Sequence, residues 1–237
     1  MRKVSVLVLV MFVLAAGAAL AQEAIDSFFD FEVNIGFPVH WSNGGINNKG
    51  QSLAFYKDMG IEAYDKTVTA NTSIGIAATF NFTPKMGVII DADIFYGAQL
   101  TGIGGIDDSN EGTDTAYHTA LFGFNVYLGP QFYLYNKGNL RIPLSIGPHV
   151  YFFTDDTWSS NGFKVTEFQL GLALGLGVQF HFDSNLYIFS RTNVAFDFFR
   201  MTTVIPRSGT DKGKSFSNIG IGLSWLVKPS LGVGVKF

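Results

Sequence analysis

Three groups of residues have the types and spacing to do chemistry. The acids Asp30 and Glu32, and again Asp91 and Asp93, stand two apart, and neighbouring carboxylates whose ionisations are driven apart can divide general-acid and general-base work. His40 and Ser42 also stand two apart in His40-Trp41-Ser42-Asn43-Gly44-Gly45, a spacing at which a base can reach a nucleophile. The third group is Asp107-Asp108-Ser109-Asn110-Glu111-Gly112-Thr113-Asp114, with four acids in eight residues. It begins like a calcium loop but carries His118 at the twelfth position, where a bidentate Glu belongs, so it is not an EF-hand. On a strand, the two-residue spacing of the acids places both on one face, where they are ready partners for Arg141 and Arg191. The four histidines, at 40, 118, 149 and 181, lack metal-ligand spacing. With no Cys in the chain there is no thiolate metal site, no Cys nucleophile and no disulfide framework, and neither a metal nor a cofactor is expected.

The elements that must position these residues have period two. From Phe29 to His40 every odd residue is apolar, while Asp30, Glu32, Asn34, Gly36 and His40 fill even positions. The segment 72–82 alternates in the same way, as do 88–96, 117–135, 140–153, 165–182, 186–199 and 216–237, giving eight strands. The connections alternate in length. Long ones at 41–70, 100–115, 154–164 and 200–215 are separated by tight turns at Pro84-Lys85-Met86, Asn136-Lys137-Gly138-Asn139 and Asp183-Ser184-Asn185. All long loops therefore lie at one end and all short turns at the other, as in an up-and-down antiparallel barrel of the outer membrane.

The composition agrees with a protein that does not face water everywhere. Charged residues make up 15% and the mean hydropathy is positive, against roughly 25% charged in an ordinary soluble domain. The hydrophobic content of 47% excludes intrinsic disorder, and a net charge of −3 gives nucleic acid no footprint. Arg2 and Lys3, the apolar run Val4–Leu14 and Ala19-Leu20-Ala21 form a signal peptide over residues 1–21, leaving a mature barrel domain at 22–237. Past this leader, no stretch is long and apolar enough for a spanning helix.

Alternation alone leaves open which face is inside, since a soluble exported lipocalin-like barrel has the same period. Phe168 and Phe180 bracket Leu170, Leu172, Leu174, Leu176 and Val178, an apolar band between aromatic girdles. The other face of that strand, Gln169, Gly171, Ala173, Gly175, Gly177 and Gln179, suits a crowded interior. The chain ends with apolar Leu231, Val233, Val235 and Phe237 at alternate positions. This ending resembles the signal read by the outer-membrane barrel assembly machinery, and the mature chain resembles the small eight-stranded outer-membrane proteins of the OmpW, OmpX and OmpA barrel type. The resemblance implies a bacterial outer-membrane location, long loops outside, both termini in the periplasm and outer-membrane lipids as surroundings. Pro148 near mid-strand predicts a bulge or a shifted boundary. The last strand is expected to run unbroken through Lys228-Pro229, with ten strands as the alternative count.

With the apolar face on lipid, the lumen receives Asp30, Glu32, Asp91, Asp93, Arg141, His149, Glu167, His181, Arg191, Asp197 and Lys236. Such mixed charges either plug the lumen by pairing or line a narrow pore. The expected function is accordingly a structural or surface-interaction role, with extracellular ligands as partners, or narrow-pore transport of small solutes. Two alternatives stand beside it: the soluble ligand-binding barrel, and a lipid-modifying enzyme. The string His40-Trp41-Ser42-Asn43-Gly44 resembles the active-site motif of the lipid A 3-O-deacylase family, which implies His40 as base and Ser42 as nucleophile. Arg200, Arg207, Lys212 and Lys214 are expected to form a basic loop tip.

Overall fold

Period-two alternation with Phe, Val, Ile and Thr at its outward positions favours pleated strands, and strands are what form. The computed structural model describes residues 27–43, 64–105, 115–155, 163–182, 185–206 and 212–237. Its elements are β1 (Phe29–Gly36), β2 (Val39–Asn43), β3 (Tyr64–Ala70), β4 (Ser73–Thr83), β5 (Met86–Gly105), β6 (Thr115–Lys137), β7 (Leu140–Asp155), β8 (Phe163–His181), β9 (Leu186–Pro206) and β10 (Phe216–Lys236). All pairings are antiparallel.

Ten segments make eight walls, the count read from the sequence, and not the ten-stranded ring that was its alternative. β1 and β2 are one wall interrupted at Phe37-Pro38, and both pair with β10. β3 and β4 are likewise one wall interrupted at Asn71-Thr72, and both pair with β5. The interruptions face each other, with Asn71 N donating to Pro38 O at 3.0 Å, and on the other side Phe37 N donates to Pro229 O of β10 at 2.9 Å. The ring closes where β1 meets β10, from Asp30 opposite Lys236 to Gly36 opposite Ser230. Phe28 N and Phe237 O (3.0 Å) and Phe237 N and Phe29 O (2.8 Å) finish the seam. Closure pairs the backbone groups within the strands, which a lipid environment requires.

The faces are inverted relative to a soluble barrel, which overturns the lipocalin-like alternative. Outward Leu172 is 53% exposed and Ile76 52%, whereas the inward acids Asp91 and Asp93 are each 1% exposed. Among the described residues no helix is long and apolar enough to cross a membrane.

The prolines sit where the ladder tolerates them. Pro148 stays in register with Leu172 of β8, without the bulge expected there. The β6–β7 ladder lapses between Tyr127/His149 and Gln131/Ser145, the stretch that contains both Pro130 and Pro148, and resumes in unchanged register. In the same stretch a Cβ on Gly129 or Gly147 would collide with the facing backbone, so only glycine allows these strands their approach. β10 runs continuously through Pro229, with its one irregularity at Ile221–Ser224. At the turn end, Gly138 takes φ +57°, which closes the two-residue turn between β6 and β7.

Candidate functional site: the barrel lumen

The inward positions gather into three levels. Nearest the short turns, Asp30 accepts from Ser27 Oγ (2.5 Å) and Asn81 Nδ2 (3.0 Å) and faces Arg141 Nη1 at 3.4 Å. Arg141 on β7 and Asp30 on β1 are four walls apart in a ring of eight, so this pair spans the barrel. Tyr133 OH donates to Asn81 Oδ1 at 2.7 Å, and the Arg141 guanidinium lies 5.5 Å from the centre of the Tyr133 ring. His181 stacks on Tyr187 at 4.6 Å. Lys236 is half-buried at the end of β10, in register with Asp30.

The waist is the densest level. Arg191 Nη2 donates to Glu32 Oε2 at 2.5 Å, and its Nη1 lies 3.5 Å from Asp91 Oδ2. Lys228 Nζ contacts Asp93 Oδ2 and lies 3.4 Å from both Asp91 oxygens. Gln179 Nε2 (2.9 Å) and Tyr187 OH (3.1 Å) complete Glu32, and Asn193 Nδ2 donates to Asp91 at 2.9 Å. The Asn193–Asp91 contact joins opposite walls, β9 and β5, and the Lys228–Asp91/Asp93 contacts join walls three apart. Such buried charges persist because each is paired and hydrogen-bonded. Glycines make room for them and for the rings: a Cβ on Gly234 would strike the Tyr187 ring, one on Gly232 would lie 2.7 Å from the Phe189 ring, and one on Gly36 would lie 3.3 Å from the Lys228 stem.

Toward the long loops the contacts are more local. Glu167 accepts from Arg200, from Gln169 and, at 3.5 Å, from Thr202. Ser224 Oγ donates to Gln169 Oε1 at 2.5 Å, and His149 Nδ1 lies 2.9 Å from Asp197 Oδ1. Aromatic rings pack among these residues, with Tyr151 stacked on His40 (4.4 Å) and on Phe95 (5.5 Å) and edge-on to Phe153 (5.9 Å).

Of the eleven positions expected in the lumen, all but half-buried Lys236 have buried side chains. Two cations were missed. Lys228 is 0% exposed, and Arg200, expected at a basic loop tip, lies in β9 and pairs with Glu167. The cause for Arg200 is a bulge. Leu170 pairs with Phe199 but Gly171 with Asp197, so Phe198 is an extra residue that reverses the facing of everything after it. Lys212 and Lys214 are exposed, while Arg207 and the acidic loop 107–114 lie outside the described residues. Tyr127, Tyr133, Tyr151 and Tyr187 also point inward, which alternation of Phe girdles does not single out.

His40 is buried, and its Nε2 is 3.1 Å from Gln169 Oε1 across the barrel. That contact and the Tyr151 stack hold the ring within the lumen. Ser42 follows on β2, in register with Ser224; its side chain lies outside the described ones, as do the expected signal peptide and residues 44–63. Among the described residues no cluster of three His, Cys, Asp or Glu side chains could hold a metal.

Comparison with known proteins agrees with this architecture. OprG from Pseudomonas aeruginosa is 17% identical and superposes with a TM-score of 0.57 over 89% of this chain and 97% of its own. AlkL, solved in lipid bilayers by solid-state NMR, is 15% identical with a TM-score of 0.52 over 92% of this chain and 94% of its own. At these identities the likeness is one of fold. No curated protein matches the sequence. The family model described as outer membrane protein beta-barrel domain matches residues 7–226, nearly the whole chain. With its lipid-suited exterior, closed ring and polar lumen, the chain belongs to the outer membrane protein β-barrel domain family and is an integral protein of the bacterial outer membrane.

Proposed function

We propose that the protein is a closed barrel that carries its long loops at the cell surface and acts there through them, with both termini and the short turns in the periplasm. The supporting observation is the bracing of the waist, where Arg191, Lys228, Glu32, Asp91 and Asp93 meet across the lumen and none is more than 2% exposed. A passage for solutes would have to part these ions, and parting buried ions costs several kcal/mol each. The surrounding partners on this reading are outer-membrane lipids against the apolar belt and extracellular ligands at the loops. The assembly machinery would read Leu231, Val233, Val235 and Phe237 at the end of β10, of which Leu231, Val233 and Phe237 are exposed.

Liposome swelling tests this. Vesicles containing the folded protein are expected to swell in small sugars and amino acids no faster than protein-free vesicles; swelling that scales with protein content would establish the narrow-pore function instead. Protease treatment of intact cells tests the orientation: cleavage in the loops 44–63 or 106–114 is expected, and cleavage only after the outer membrane is opened would reverse the topology.

A further inference from the structure

The outward face finishes differently at its two ends. At the turn end it finishes in aromatic rings, with Phe82, Phe132, Phe182 and Phe237 exposed, as a β-barrel does where it meets a membrane interface. At the loop end of the four consecutive walls β7, β8, β9 and β10 it finishes in hydroxyls. Phe152, Phe168, Met201 and Ile219 stand in register as the last apolar row, and two residues nearer the loops Thr154, Thr166, Thr203 and Ser217 stand in register as the next.

The hydroxyls pair along that row. Thr166 Oγ1 donates to Thr154 Oγ1 at 3.4 Å, and Thr203 Oγ1 and Ser217 Oγ are 3.0 Å apart. Each pair uses one hydroxyl hydrogen internally and has a second to give to an acceptor outside the barrel. Positive charge lies beyond the row. Lys164 is two residues past Thr166 on the same outward face, and exposed Lys212 and Lys214 lead into β10, where Gly213 at φ +79° turns the chain. The acid at this level, Glu167, points into the lumen and is held by Arg200. Among the described side chains, the charges turned outward here are therefore lysines.

An apolar row, then hydroxyl donors, then ammonium groups match a phosphorylated lipid from its tails to its head. Width decides which kind of lipid. Four strands at the usual spacing make a row about 14 Å across, wider than the single phosphate of a two-chain phospholipid and suited to a sugar headgroup carrying several acyl chains. We propose that the outer face of β7–β10 binds a phosphorylated glycolipid. Its acyl chains lie on Phe152, Phe168, Met201 and Ile219, its sugar on the hydroxyl row, and its phosphate at Lys164 and Lys212, whose flexible stems bring a point charge to it. The inference rests on the reading that the long loops face outward, because such a lipid fills the outer leaflet, and it names a partner for that surface.

The test is native mass spectrometry of the folded mature barrel in detergent, with diphosphoryl lipid A or phosphatidylglycerol as the probe. Lipid A is expected to stay bound at concentrations at which phosphatidylglycerol does not. Lys164→Gln and Lys212→Gln are each expected to weaken lipid A binding about fivefold, the fold-change that corresponds to about 1 kcal/mol per lysine at a charged lipid surface. Thr166→Val with Thr203→Val is expected to weaken lipid A and leave phosphatidylglycerol as it was. Lys85→Gln, at an exposed lysine of the turn end, is expected to change nothing. Each variant is first shown to be folded by its heat-dependent gel migration. Equal retention of the two lipids would overturn the glycolipid assignment, and a loss from Lys85→Gln as large as that from Lys164→Gln would overturn its location. Binding in detergent does not depend on which way the barrel faces in the cell, so these results stand or fall separately from the protease test of orientation.

Discussion

The waist and the loop-end level of the lumen use the same residue types to different ends. At the waist, Lys228 reaches from β10 to Asp91 and Asp93 on β5, and Asn193 reaches from β9 to Asp91. At the loop end, Glu167 and Arg200 sit on adjacent β8 and β9, and Gln169 and Ser224 on β8 and β10. The first arrangement braces the barrel across its diameter, while the second spans shorter arcs: Glu167–Arg200 links walls that the backbone ladder already joins, Gln169–Ser224 and His149–Asp197 skip one wall, and His40–Gln169 reaches three walls round. The same kind of ion pair therefore carries different weight according to the distance around the ring that it spans.

Removing a cross-brace should produce the largest effect. Lys228→Met leaves Asp91 and Asp93 buried with their ammonium gone and is expected to cost about 3–5 kcal/mol in urea unfolding from lipid vesicles, the range for breaking a buried pair from one side. Unchanged stability would show that the waist ions are hydrated and not bracing. Next comes packing at the turn-proximal wall. Gly234→Leu pushes into the Tyr187 ring and should cost about 1–3 kcal/mol, the usual penalty for overpacking, read from the same unfolding curves.

The loop-end level should respond less. His40→Phe keeps a ring to stack on Tyr151 but gives up the Gln169 contact, and a loss of about 1 kcal/mol is expected. A loss as large as that of Lys228→Met would erase the distinction between the two levels. The smallest effect is expected outside. Thr203 Oγ1 and Ser217 Oγ are 3.0 Å apart on the exposed face, and Thr203→Val should shift stability by no more than about 0.5 kcal/mol.

The sequence revealed the barrel because alternation is local. Once Leu170 to Val178 are placed on lipid, Gln169 and Glu167 must point inward, and the same parity places Asp30, Glu32, Asp91 and Asp93 in the lumen with Arg141 and Arg191. Parity fails wherever the chain gains a residue. The bulge at Phe198 turned Arg200 from a supposed loop cation into the partner of Glu167, and no turn residue announces it. Lys228 obeyed parity but stood beside Pro229, in a stretch characterised by its odd apolar residues. Tyr127, Tyr151 and Tyr187 were missed for a chemical reason: an aromatic ring with a hydroxyl suits a membrane interface and a crowded polar lumen equally. What decides between them is the glycine opposite, as Gly234 is for Tyr187, and that pairing is set by the register between strands.

Single-channel recording in planar bilayers tests the central claim most directly. The wild-type protein is expected to give a silent membrane, and Lys228→Ala, with the ammonium bridge to Asp91 and Asp93 removed, to give discrete conductance steps. Steady conductance from the wild-type barrel, unchanged in Lys228→Ala, would contradict the account, because the waist would then be open with its braces in place.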